Sequence, residues 1–236
     1  MARLIFDIET VGDEFDSFDE TTQGVLTRWI KKESKNNGEY KVMLDDLKNE
    51  LGFSPLTGKV VAIGVLDYEK DKGVVYFDAP GKKAKEFSEG KFTFKPMGEK
   101  EMLENFWRGA ENYDEFITFS GRNFDVPFLV VRSAIHGVNV SKDLLSNRYL
   151  NLQKFGAKHV DLQDQLTFYG ALQRKGGLHM WARAFGIKSP KEEGVSGDDV
   201  SRLFKEGKFE EIARYNTGDV IATRDLYEKW NKYMRF

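Results

Sequence analysis

Apolar and polar positions change their period several times along the chain, and each change marks an element. Leu4, Ile5, Phe6 and Ile8 form a short apolar run, which predicts a strand over 3–8 buried on both faces. The run Val60-Val61-Ala62-Ile63-Gly64-Val65-Leu66 predicts a second strand over 59–68, and Asp71-Lys72-Gly73 turns it into a third over 74–77. From Glu99 to Asn112, Met102, Leu103, Phe106 and Trp107 recur at helical spacing. A fourth strand is expected at Glu115–Phe119. A helix over Val126–His136 follows, with Pro127 suited to its first turn. His159-Val160-Asp161-Leu162 predicts a fifth strand, and Leu162–Leu172, Leu178–Phe185 and Asp198–Phe204 read as helices. Residues 210–232 read as one long final helix.

Two stretches interrupt this alternation. Residues 12–55 are polar and charge-rich, with helices expected around Thr21–Glu33 and Tyr40–Leu51 on either side of Asn36-Asn37-Gly38. Residues 13–55 therefore read as a helical insertion hanging over the end of the first strand, and 13–20 are acidic. A charged segment with Gly and Pro runs on to Pro96, and no element is expected in it. Trp181, Phe185, Phe168 and Tyr169 read as core residues. With no repeat or low-complexity tract, 1–236 reads as one domain.

Three short strings carry candidate chemistry. In Phe6-Asp7-Ile8-Glu9-Thr10, side chains alternate along the strand, so Asp7 and Glu9 point to the same side about 7 Å apart. Like charges at the end of a buried strand are tolerable beside a cation or open water. Taken alone, the pair fits a solvated strand end equally well. In Tyr215-Asn216-Thr217-Gly218-Asp219, Tyr215 and Asp219 are four apart and share a helix face. Gly218 costs about 1 kcal/mol in a helix interior relative to Ala, as a position needing close approach of a strand or ligand would accept. Alone, this string reads as a plain amphipathic helix with a core Tyr. Between the two stands Gly121-Arg122-Asn123-Phe124-Asp125.

The ordered set, Asp-x-Glu on a strand, Asn-Phe-Asp in the middle and Tyr-x-x-x-Asp on a late helix, resembles the DEDD exonuclease superfamily in its tyrosine-bearing branch. That branch includes the proofreading domains of family-B DNA polymerases and the ribonuclease D group. The run from Phe119 to Leu129 is similar to the second motif of stand-alone, polymerase-B-like exonucleases. In polymerases the motif's Asn precedes the aromatic–Asp pair by a few residues. Here Asn123 abuts Phe124, and Ser120 or Gly121 fills the usual slot. The resemblance implies a ribonuclease H-like α/β fold with a mixed five-stranded sheet flanked by helices. In that fold strand one is central and the last helix crosses the strand ends. It also implies 3′–5′ hydrolysis at the 3′ end of single-stranded nucleic acid, DNA favoured, by a two-metal mechanism with Mg²⁺ or Mn²⁺. Asp7, Glu9, Asp125 and Asp219 would be the metal ligands and Tyr215 would orient the attacking water. Backbone groups at Thr10 and Val11, with Asn123 and Phe124, would line the terminal nucleotide pocket. Asp161 reads equally as a residue behind the site or against substrate, or as a cap. An exoribonuclease of the same branch, and a catalytically inactive nucleic-acid-binding domain, are the alternatives.

Composition narrows the chemistry. The 236 residues contain no cysteine, which excludes disulfides and Cys-ligated zinc or iron–sulfur sites. His136, His159 and His179 show no short metal-ligand spacing and read as structural. The formal net charge of −2 is low for a general nucleic-acid coat protein, but an enzyme gripping an end needs only a local basic rim. Lys31, Lys32 and Lys35, Lys82, Lys83 and Lys85, and Arg174 with Lys175 are candidates for that rim, each equally a solvated cluster. With no signal peptide or membrane-spanning run, a cytoplasmic protein is the default expectation.

Overall fold

The computed structural model describes residues 1–154, 156–189 and 197–235. Strand β1 (Arg3–Gly12) is an interior strand of the sheet, and its alternation organises the fold. Even-numbered Leu4, Phe6 and Ile8 enter one core, with Met102, Leu103, Phe106 and Trp107 of α3 (Glu99–Ala110) and Val126, Phe128 and Leu129 of α4 (Asp125–His136). Odd-numbered Ile5 and Val11 enter a second core on the opposite face, shared with the long helix α8 (Phe209–Tyr233). Asp7 and Glu9 stand between them on that same face.

Seven strands are present among the described residues, in the order β4-β5-β3-β2-β1-β6-β7. β2 (Gly58–Asp67) and β3 (Lys72–Phe77) continue from β1 as an antiparallel meander, while β6 (Glu115–Thr118) and β7 (Lys158–Asp161) lie parallel on its other side. The chain leaves β1 and β6 at the same end of the sheet, which brings the first two motifs together. The β1–β2 register shifts by one residue at Glu9/Thr10, a bulge of the kind that re-aims side chains at strand ends. The shorter helices α5 (Leu162–Leu166), α6 (Leu178–Ala184) and α7 (Val200–Lys205) accompany α8.

The mixed, helix-flanked α/β sheet is as expected, but it has seven strands rather than five. The additional pair is a hairpin, β4 (Phe87–Glu89) and β5 (Phe92–Pro96), within the charged segment where no element was expected. β5 extends the sheet parallel to β3, burying Phe92 and Phe94 between polar neighbours. Three-residue β4 is too short to carry a readable period. The helix expected over 162–172 stops at Leu166. Phe168 and Tyr169 adopt left-handed backbone (φ 51 and 57°), and Tyr169 N–H donates to Asp164 O at 2.7 Å to close the turn. Phe168 is exposed, contrary to its reading as core, whereas Tyr169, Trp181 and Phe185 are half-buried.

The segment between β1 and β2 holds helices α1 (Glu20–Glu33) and α2 (Asn37–Glu50), capped by Asp19 and Asn36 side chains accepting backbone N–H bonds. It returns tightly to β1. A Cβ at Gly12 would fall 2.6 Å from the Leu51 Cβ, so the two ends of the excursion touch backbone to backbone.

Candidate active site

The odd-numbered face of β1 meets α8 through a stripe of buried residues: Ile212, Asn216, Val220, Thr223 and Leu226. Where Ile5 and Val11 would ask for apolar partners, Asp7 and Glu9 present carboxylates. One oxygen each of Asp7, Glu9 and Asp219 lies within 4.8 Å of the others. Burial, then the Asp125 and Asp219 charges, hold the Asp7 carboxyl well above the usual carboxylate range. Glu9 shifts the same way, burial first and Asp219 next, opposed by the hydrogen bond from Asn216.

Asn216 is the neutral group inside this acidic cluster. Its Nδ2 donates to Asp7 Oδ2 at 2.8 Å and to Glu9 Oε1 at 3.4 Å. Its Oδ1 has no hydrogen-bond partner and lies against Gly64 of β2, where a Cβ would come within 2.0 Å of it. An orphaned buried acceptor costs about 1–3 kcal/mol. Glycine at 64 is therefore a requirement of close approach between sheet and helix.

Tyr215 and Asp219 lie one turn apart as expected, and the phenol adjoins the Asp219 carboxylate. Burial and the adjoining Asp219 push the phenol well above its ordinary value. It keeps its proton.

Asp125 arrives from the other side, in the first turn of α4. It is buried and accepts a hydrogen bond from Ile8 N–H at 3.1 Å, which ties the second motif to β1. Its carboxylate stands outside the set of three. Burial pushes it up to about 7, against the hydrogen bonds from its own N–H and that of Ile8. The preceding loop is held by Asp161, which accepts from Ser120 N–H (2.9 Å) and Arg122 N–H (3.0 Å) and caps α5 through Gln163 N–H (3.0 Å). Asp161 thus both caps α5 and holds the loop behind Asp125. Behind the loop, Thr118 Oγ1 accepts from Gly121 N–H (3.2 Å) and bonds His159 Nε2 (2.9 Å), while His159 Nδ1 bonds Leu144 O (2.8 Å). His136 bonds Glu99 and His179 bonds Ser189, so each histidine has a partner within the fold.

The pocket residues separate. Thr10 lines a cleft of ≈ 480 Å³ with Asp46, Asn49 and Phe53, and its Oγ1 donates to Gly52 O at 2.7 Å. The Val11 side chain is buried in the core, leaving only its backbone to serve a pocket. Asn123 is exposed and Phe124 is half-buried, its ring 6.4 Å from that of Phe53 at 67°. Phe53, 63% exposed, escaped the sequence reading because it sits in the charged excursion. Asn216 also escaped it, although a neutral donor three residues before Asp219 on the same helix face was a visible signal. The three lysine and arginine clusters are exposed.

A family model described as "Predicted 3'-5' exonuclease related to the exonuclease domain of PolB" matches residues 54–235. The chain belongs to this family. The matched stretch contains the second and third motifs of this exonuclease relative, and Asp7 and Glu9 lie before it. Over 98% of its length the chain is similar to the family B DNA polymerase of the hyperthermophilic archaeon Pyrobaculum calidifontis, at TM-score 0.58 and 17% identity. It spans 24% of that polymerase, and the likeness supports the ribonuclease H-like fold expected from the motifs. No curated protein matches the chain. Among the described residues, no helix is long and apolar enough to cross a membrane.

The donor set fits a hard divalent cation. Asp7, Glu9 and Asp219 offer only carboxylate oxygens, the ligands suited to Mg²⁺ or Mn²⁺. The burial and mutual repulsion that disfavour their charges are what a bound cation relieves.

Proposed function

We propose that this chain is a metal-dependent exonuclease that shortens single-stranded DNA from its 3′ end and releases nucleoside 5′-monophosphates. One observation carries the reading: the convergence of Asp7, Glu9 and Asp219 where β1 meets α8, with the Tyr215 phenol adjoining Asp219, in a chain of an exonuclease family. The DNA preference is supported by the likeness to a DNA polymerase.

Asp7, Glu9 and Asp219 would hold the metal, with Asp125 completing a second site. Bound divalent ions supply Lewis acidity and a nucleophilic water at neutral pH. Asp125 holds Ile8, and so the strand that carries the first two ligands. Tyr215, protonated, directs its O–H toward the attacking oxygen and aligns it, a role that asks for no proton transfer from the phenol. Thr10 and Phe53, which line one cleft, with the Phe124 ring beside Phe53 and the exposed Asn123, would make the wall on which the terminal nucleotide rests, the rings offering an apolar surface to a base. Residues 1–236 act as one catalytic unit, with the helices of 13–55 as its cover.

The test is incubation with end-labelled single-stranded DNA and RNA in Mg²⁺, Mn²⁺ or EDTA. A 5′-labelled DNA strand should shorten progressively from its 3′ end, and a 3′-phosphate should slow it. Internal cuts in a closed circular single strand at early times would overturn the exonuclease reading. Faster loss of RNA would transfer it to RNA.

A further inference from the structure

Asn216 has no place in the chemistry above, yet it is fully buried at the centre of the acidic cluster. Its two amide hydrogens go to two different carboxylates, Asp7 and Glu9, which repel each other. Each carboxylate receives the bond on one oxygen, so its second oxygen is left for other ligands. The amide orientation is dictated by its surroundings. Turned over, Oδ1 would face two carboxylate oxygens, so Oδ1 instead lies unpartnered against the bare Cα of Gly64. The fold accepts an orphaned buried acceptor and a missing side chain on β2 to keep Nδ2 aimed at both acids.

We infer that Asn216 is a positioning residue that pre-sets Asp7 and Glu9 for divalent cation binding. The inference rests on the reading of Asp7, Glu9 and Asp219 as metal ligands. Partners that hold ligating carboxylates from behind typically contribute 10- to 100-fold to metal affinity. Asn216 touches neither substrate nor reacting atoms, so its loss acts on the metal dependence of the reaction and leaves the chemical step at saturating metal nearly intact.

The experiment is Mn²⁺ titration of the metal-free full chain by calorimetry, without nucleic acid, for wild type, Asn216→Leu and Asn216→Ala. Leucine keeps the branched shape, has the higher helix propensity and removes the donor; alanine tests the same loss with less bulk. Thermal melting in EDTA identifies the folded variants. The expected result is Mn²⁺ affinity about 10- to 100-fold weaker in a folded variant. The Mn²⁺ concentration for half-maximal cleavage should rise in proportion, and kcat at saturating Mn²⁺ should stay within about threefold of wild type. A purely structural residue would lower the melting temperature and leave the affinity of the folded protein unchanged, and that result overturns the inference. If neither variant folds, Asn216 is a structural residue and the inference falls. Should wild type itself bind no Mn²⁺, the metal-site reading fails first; wild-type binding matched by the variants fails only the role of Asn216.

Discussion

The two faces of β1 are built from alternate residues of one strand and do opposite work. On the even-numbered face Leu4, Phe6 and Ile8 are at most 4% exposed, and Phe6 packs edge-on against Phe106 at 5.1 Å. On the odd-numbered face the apolar sequence Ile5…Val11 is broken by Asp7 and Glu9, and α8 answers with Asn216, Tyr215 and Asp219 instead of hydrocarbon. The first face gains stability from burial. The second holds carboxylates, Glu9 buried and Asp7 half-buried, that repel one another, a cost that makes sense only for what those carboxylates can bind. A strand buried on both sides can thus be rigid because of one face and reactive because of the other.

The largest effect that would break this contrast is at Asp7. Asp7→Asn should lower single-turnover cleavage by about 10⁴-fold, since several kcal/mol of charge stabilisation are lost at tenfold per 1.4 kcal/mol. Its melting temperature in EDTA should hold or rise, because a repelling charge is gone. Phe6→Ala, one residue away, should cost about 3–5 kcal/mol of stability from lost burial and the cavity left behind. If Asp7→Asn instead destabilised the metal-free protein as Phe6→Ala does, the division of labour between the faces would be wrong.

Tyr215→Phe sharpens the same comparison. It keeps the ring and its packing, so Mn²⁺ affinity should be unchanged while the rate falls about 10- to 1000-fold, the scale of one aligned catalytic hydrogen bond. Full activity would make the phenol a packing residue of an amphipathic helix.

Two buried groups beside β1, His159 and Asp125, should respond oppositely to acid. His159 stacks on Phe6 from the even side, and burial lowers it from its ordinary 6.5 to about 4. The unfolded chain takes up that proton first, so stability is fully present above pH 6.5 and is lost as pH falls toward 4, by on the order of 3 kcal/mol. Asp125 behaves in reverse. Raised to about 7, it contributes stability below the ordinary carboxylate range that is lost as pH rises through about 7 in the metal-free protein. Urea unfolding of wild type and His159→Gln between pH 4 and 7 measures the first slope. An equal slope in both proteins would remove His159 from the account.

The smallest effect is that of the ion on stability. Mn²⁺ at about 100 times its dissociation constant should stabilise the protein by about 2.7 kcal/mol in thermal melts, and Asp219→Asn should abolish the shift. An equal shift in the variant would place the ion elsewhere.

Local period and spacing along the chain determined the element order, the alternation of β1, the Asp-x-Glu pair on one side of a strand and the Tyr215–Asp219 pair on one side of a helix, because each of these relations spans only a few residues. Periodicity could not show the β4–β5 hairpin, since β4 is three residues long and its context is charged. Nor could it show that residues 168 and 169 end a helix early, because left-handed backbone there is enforced by the turn that Tyr169 closes onto Asp164. The site itself was a tertiary decision. Asn216 meets Asp7 across 209 residues of sequence, and it does so because Gly64, from a third element, leaves room for the amide. Asp161 caps α5 through local bonds, but it holds the Ser120–Arg122 loop only once β6 and β7 are paired and that loop lies within reach of its carboxylate. Sequence specifies which face of each element is polar; only the packing of sheet against helix decides which polar faces meet, because that depends on strand order and close approach, and neither leaves a local trace.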